Sequence, residues 1–261
     1  MSRRRTSGNS ASVSVADRLR ELLAASELLE LTTVCDPLGA RLAADSGFAA
    51  VNLPGYAIGA HLPGDTCLTL AHLESGIGRV ARACGLPILL DADVDWTDEA
   101  GLDVAIRRCS AAGAAGIQLS SQHLPEAVPF DSHAEAARSH AQLVHRVRVA
   151  AATGVVVAAR CEFETDDRLA IARAVELAEA GAEALLVHGP DAVLAPLAEE
   201  LPGVRLIYAA APALPCRPSI HPVARLQEWG FAGIVNKYHS CHCRPLAALS
   251  GAEQPHTAHQ R

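Results

Sequence analysis

Eight times along this chain of 261 residues, a short apolar run gives way to a stretch with helical patterning. The runs fall at about 30–35, 49–53, 87–91, 115–119, 155–159, 184–188, 204–208 and 232–236. They are continuous rather than alternating, as expected of strands buried on both faces of a parallel sheet. Seven of the eight begin within a few residues of a Gly, the residue that most easily ends a helix in a left-handed cap. Helical patterns fill the gaps at about 38–46, 69–84, 97–112, 133–151, 166–180, 190–200, 219–229 and 244–250. Eight β-then-α units in a chain of this length predict a (β/α)8 barrel of the TIM type. An open, doubly wound sheet is the competing arrangement. Residues 15–30 predict an extra amphipathic helix ahead of the first strand, placed to plug the bottom of the barrel. The expected organisation is a disordered leader over 1–14, one barrel domain over 15–250 and a polar tail over 251–261.

Composition removes several functional classes. The net charge of −7 argues against a nucleic-acid surface, which needs clustered Lys and Arg. The basic cluster Arg3-Arg4-Arg5 is followed by no long apolar segment, so neither a signal peptide nor a membrane anchor is expected. The eight Cys lack a secreted spacing pattern and read as reduced thiols of a cytoplasmic protein.

In a barrel of this type chemistry gathers at the C-terminal ends of the strands. The residues there are Cys35 and Asp36; Pro54, Gly55 and Tyr56; Asp91 and Asp93; Ser120, Ser121 and Gln122; Arg160, Cys161 and Glu162; His188; and Asn236 to His239. After the seventh run, Ala209 to Ala211 offer no polar group at the strand's end. Asp91 and Asp93 close the run "LPILLDADVDW". Two carboxylates so placed repel, and a divalent cation, a helix N-terminus or solvent would relieve them. Asp95 suits a cap for the helix that follows. Arg160, closing "VVVAAR", needs an anionic partner, either a neighbouring carboxylate or a bound substrate. His61, His123 and His188 fall at the same end, where an imidazole can move protons near neutral pH. His239, Cys241, His242 and Cys243, with Cys216 as a further thiol, could suit zinc, a packed helix start or a reactive thiol.

The segments "SGFAAVNLPG", "HLPGDTCLTL", "LPILLDADVDW", "AAGAAGIQL" and "VVVAAR" resemble the isocitrate lyase and phosphoenolpyruvate mutase superfamily, from about residue 30 to 190 and more weakly to 250. The resemblance implies that Asp91 and Asp93 hold Mg²⁺ or Mn²⁺, directly or through water. It implies that Pro54, Gly55 and Tyr56 replace a Ser-Gly turn whose amides bind the substrate carboxylate. Asp65 takes the place of a catalytic or metal-linked Asp in a mobile loop, and Arg160 that of an Arg contacting substrate. The implied activity is cleavage of a C–C or P–C bond in a small 2-oxo or 2-hydroxy acid through an enolate-type intermediate. The implied assembly is a homo-oligomer, a dimer or a tetramer.

This sequence also departs from the family pattern. A Glu-Asp pair after the fourth strand is Ser120-Ser121 here. The Lys-Lys-Cys-Gly-His loop that carries the lyases' proton-donating Cys is replaced by "HLPEAVPFDS", with His123 as the candidate substitute. His188 stands where the family has a Glu near the sixth strand's end. These changes count against isocitrate or methylisocitrate cleavage and against the mutase reaction. Two alternatives remain open: an aldolase of the ketopantoate hydroxymethyltransferase type, and a catalytically decayed barrel that only binds.

Overall fold

The computed structural model describes residues 13–63, 68–92, 101–120, 122–123, 136–137, 140–162, 168–210 and 221–236. Its eight long strands are β1 (Leu29–Thr33), β2 (Ala50–Pro54), β3 (Ile88–Asp91), β4 (Ala114–Leu119), β7 (Val156–Glu162), β8 (Ala184–His188), β9 (Arg205–Ala210) and β10 (Gly233–Asn236). They pair in that order, all parallel, and β10 closes back onto β1 with Leu31 opposite Val235. The sheet is a closed barrel, so the open doubly wound alternative falls away. Between β4 and β7 lies a small antiparallel pair, β5 (Gln122–His123) with β6 (Ala136–Ala137).

The Gly punctuation has a backbone cause. Gly47, Gly85, Gly113, Gly154, Gly181, Gly203 and Gly230 all adopt positive φ, and each stands just before a barrel strand. Two of them also sit where helix and strand approach closely. A Cβ on Gly113 would lie 2.7 Å from the Cβ of Ala81, and one on Gly181 would lie 2.7 Å from the Cβ of Ala151. No side chain fits there without movement.

The helices are α1 (Val15–Ala24), α2 (Pro37–Asp45), α3 (Gly55–Ala60), α4 (Leu70–Cys84), α5 (Leu102–Ala112), α6 (His140–Ala151), α7 (Arg168–Glu179), α8 (Asp191–Leu194), α9 (Leu197–Glu200) and α10 (Val223–Glu228). Four differ from the sequence pattern. The N-terminal helix stops at Ala24, because Leu29–Thr33 is taken into the barrel between β10 and β2. Of the helix expected at 133–151, His140–Ala151 is helical, whereas Ala136–Ala137 pair as a strand. The helix expected over 190–200 is two short pieces, since Pro196 has no N–H to carry a helix through. The six-residue α3, directly after β2, is too short to leave a periodic signal.

Two apolar layers hold the fold. One lies between sheet and helices, with Ile77, Ile106, Val147 and Leu177 facing the outward residues of the strands. The other fills the barrel, where Leu31, Leu89, Val156, Leu186 and Ile207 meet Leu19 and Leu23 of α1. Helix α1 therefore plugs the barrel, as its amphipathic pattern predicts. Ser14 caps it by accepting from the Asp17 amide. Arg20 clamps it through two hydrogen bonds to Glu183, 2.7 and 2.8 Å, and one to the Gly154 carbonyl, 2.9 Å. Both of those partners precede strands, so α1 closes the N-terminal end and the C-terminal end is the other mouth.

Candidate active site

Strand side chains alternate, so the inner apolar layer fixes which residues point inward above it. Leu31, Ala50, Leu89, Ala158 and Leu186 belong to that layer. Two positions further along, Thr33, Asn52, Asp91, Arg160 and His188 face the same way. On β4, a Cβ at Gly116 would meet Leu19 inside the barrel, so Gln118 and Ser120 also point inward. The last inward step of six strands is therefore polar, and all six lie at the C-terminal mouth. On β9 and β10 the corresponding residues, Ala209 and Val235, stay apolar.

Within this ring Asp91 is 6 % exposed and Gln118 is wholly buried. The two are register partners on β3 and β4, and the Gln118 Nε2 donates to Asp91 Oδ1 at 2.9 Å. On the neighbouring strands Asn52 Nδ2 faces Thr33 Oγ1 at 3.4 Å. Among the described residues, Asn52 Oδ1, Gln118 Oε1 and His188 Nδ1 are buried without a hydrogen-bond partner. Such groups are costly to leave unsatisfied, so a cluster of them marks a place where the fold is not tuned for stability alone. The strand-end pattern in the sequence does not single out Asn52, Thr33 or Gln118. A signal for two of them is nonetheless present: one polar residue inside each of "AVNLP" and "AGIQL", on the inward parity of an otherwise apolar strand.

Pro54 ends β2 and begins α3 without any side-chain cap. Gly55 behind it is buried and Tyr56 is 42 % exposed. Asp36 is not in the ring. Its Oδ1 accepts from the Gly39 amide at 2.7 Å and caps α2. Its Oδ2 lies 3.9 Å from His61 Nε2, whose Nδ1 lies 2.6 Å from the Ala57 carbonyl. That short contact makes Nδ1 the donor. Cys161 stands next to Arg160 on the opposite parity, and burial pushes its thiol up to about 12, so it is no nucleophile near neutral pH. His188 lies 6.3 Å, ring to ring, from Tyr208, which packs edge-on against His221 at 5.1 Å.

Asp65 and Asp93 lie outside the described residues, as does the cluster at 239–243 with Cys216. Of His123 only the backbone is described, paired with Ala136. Among the described residues no three His, Cys, Asp or Glu side chains gather into a ready cation site. The groups around Asp91 nevertheless suit a hard divalent ion. Among the described residues, the inward groups on β2, β3 and β4 at this mouth are oxygens: the Asp91 carboxylate, the Asn52 and Gln118 amide carbonyls and the Ser120 hydroxyl.

A closed parallel barrel that gathers the inward polar residues Thr33, Asn52, Asp91, Gln118 and Ser120 at its C-terminal mouth has the architecture of (β/α)8-barrel enzymes. The family model for phosphoenolpyruvate phosphomutase matches residues 19–250, and the chain belongs to that family. It is 28% identical over 230 residues to an oxaloacetate decarboxylase of Paraburkholderia xenovorans (strain LB400), covering 81% of this chain and 74% of the relative. It is 27% identical over 188 residues to a 2,3-dimethylmalate lyase of Eubacterium barkeri, covering 69% and 65%. A solved phosphonopyruvate hydrolase, in complex with oxalate and Mg²⁺, superposes with a TM-score of 0.66 at 20% identity, covering 91% of this chain and 84% of that one. At that identity the likeness is one of fold.

Proposed function

We infer that this protein is a divalent-metal-dependent enzyme that cleaves a carbon–carbon bond in a small 2-oxo or 2-hydroxy carboxylic acid. The single observation that carries this reading is the inward-facing pair of Asp91 and Arg160, two strands apart in one closed mouth. A buried carboxylate and an inward guanidinium are what an anionic substrate held by a cation needs. The relatives named above act on, or bind, small carboxylates, which supports the substrate class.

Breaking a bond next to a carbonyl develops negative charge on that carbonyl's oxygen. Asp91, with Asp93 beside it in sequence, would hold Mg²⁺ or Mn²⁺, and the bound ion supplies positive charge for that oxygen. Arg160 orients the substrate carboxylate bidentately and neutralises it. The backbone at Gly55 and Tyr56 would complete the carboxylate pocket. Ala209 and Val235 keep the opposite wall of the barrel apolar, and low local polarity strengthens such interactions. Asp65 and His123 remain the candidates to move the proton, with His188 lining the mouth.

The test is turnover. The protein is incubated with oxaloacetate and a panel of alkyl-substituted malates, with Mg²⁺ or with a chelator, and the products are followed by proton NMR. Metal-dependent loss of at least one substrate is expected, and none after Asp91→Asn. A chain that binds these acids yet converts none, with or without the ion, would instead be a binding protein built on a decayed barrel.

A further inference from the structure

We propose that Gln118 is a positioning residue for the metal-binding carboxylate, holding Asp91 in its ion-binding orientation through a neutral donor. The inference rests on the metal reading of Asp91. Gln118 has no exposed surface, lies in register with Asp91 on the next strand, and donates to Oδ1 at 2.9 Å. An ionised carboxylate only accepts, so the amide must turn its nitrogen toward Asp91. Its carbonyl oxygen is thereby left buried and unpartnered among the described residues. An aliphatic residue of similar size would avoid that unsatisfied oxygen. The arrangement costs stability that a purely structural position would not give up.

The choice of an amide is also chemically specific. Lys or Arg at 118 would hold the carboxylate equally well, but would cancel the charge that attracts a cation. A Glu would add charge but could hold Asp91 only when one of the two is protonated. Gln fixes the rotamer and leaves the full negative charge on Asp91. This matters more here because Ser120, 3 % exposed, contributes a hydroxyl and no charge at the end of the same strand. A site with few carboxylates depends on having each one correctly aimed.

The experiment measures Mn²⁺ binding by electron paramagnetic resonance on the full chain, with no substrate and no assay of activity. Gln118→Leu is expected to weaken binding at least about tenfold relative to wild type, the usual scale for losing an outer-sphere partner, while circular dichroism stays unchanged. Gln118→Met keeps the volume, removes the donor and serves if the Leu variant does not fold; the same loss of Mn²⁺ affinity is expected. Gln118→Asn, which keeps an amide donor, is expected to retain more of the affinity than either. Wild-type binding unchanged in a folded Gln118→Leu or Gln118→Met overturns the positioning role alone. A wild type that binds no Mn²⁺ overturns the metal reading beneath it.

Discussion

Cys109 and Cys161 illustrate how burial decides what a reactive side chain does. Burial pushes both thiols up to about 12 from an ordinary value of 9.0, so both are protonated at pH 8. Cys109, which is fully buried, should resist iodoacetamide at that pH in the folded protein and react once it is unfolded, as read by mass spectrometry. The same shift has a stability consequence. A thiol whose folded pKa is raised favours the native state below its unfolded value, and that contribution is lost as pH rises from about 9 toward 12. Chemical denaturation at pH 8 and pH 10.5 should show lower stability at the higher value. At this scale the sequence makes Asp91, Arg160 and His188 visible because each closes or directly follows an apolar run. Asn52 and Gln118 are hidden because they sit one strand position earlier, inside the run, and Thr33 is hidden in the same way within the first run. Apolar continuity there signals burial, and burial does not separate an inward polar residue from its outward apolar neighbours.

Among the elements, the turns before the strands are the most demanding of residue type. Gly113→Ala and Gly181→Ala each require a left-handed backbone and also drive a methyl to 2.7 Å from a helix Ala. Gly85→Ala requires only the backbone, since nothing lies within 4 Å of the point its Cβ would occupy. Urea unfolding should therefore rank them. Gly85→Ala should cost about 1 kcal/mol, the left-handed penalty alone. The other two should cost about 1–3 kcal/mol more, the scale of overpacking. Equal losses at the three sites would show that contact with the helix does not matter. Leu19→Ala probes the plug in the same way. Leu19 is 1 % exposed inside the barrel, so a loss of about 2–5 kcal/mol is expected. Element existence is legible because Gly spacing and apolar runs repeat eight times. Element ends are not, where Pro196 divides a helix and where α3 is a single short piece after β2.

The whole molecule is a barrel whose two mouths are chemically unlike. Leucines of α1 and an Arg20–Glu183 clamp seal one end, and Asp91, Gln118, Arg160 and His188 line the other. Among the described residues no helix is long and apolar enough to cross a membrane. A homo-oligomer is proposed from the family resemblance, and light scattering at micromolar concentration should give a mass above the 27.2 kDa of one chain. The closed barrel can be read from the sequence because topology follows from a repeated unit. The chemistry is only partly legible, because Ser120 and the loop after it depart from the family pattern while the strand ends keep it. The central claim is that Asp91 and Arg160 jointly hold a metal ion and a small carboxylate. Titration calorimetry with Mg²⁺ and oxalate tests it most directly. Wild type should bind oxalate only when Mg²⁺ is present; Asp91→Asn should abolish that metal-dependent binding, and Arg160→Ala should weaken oxalate more than the ion. Oxalate binding that ignores Mg²⁺, or that survives intact in Asp91→Asn, would contradict the account.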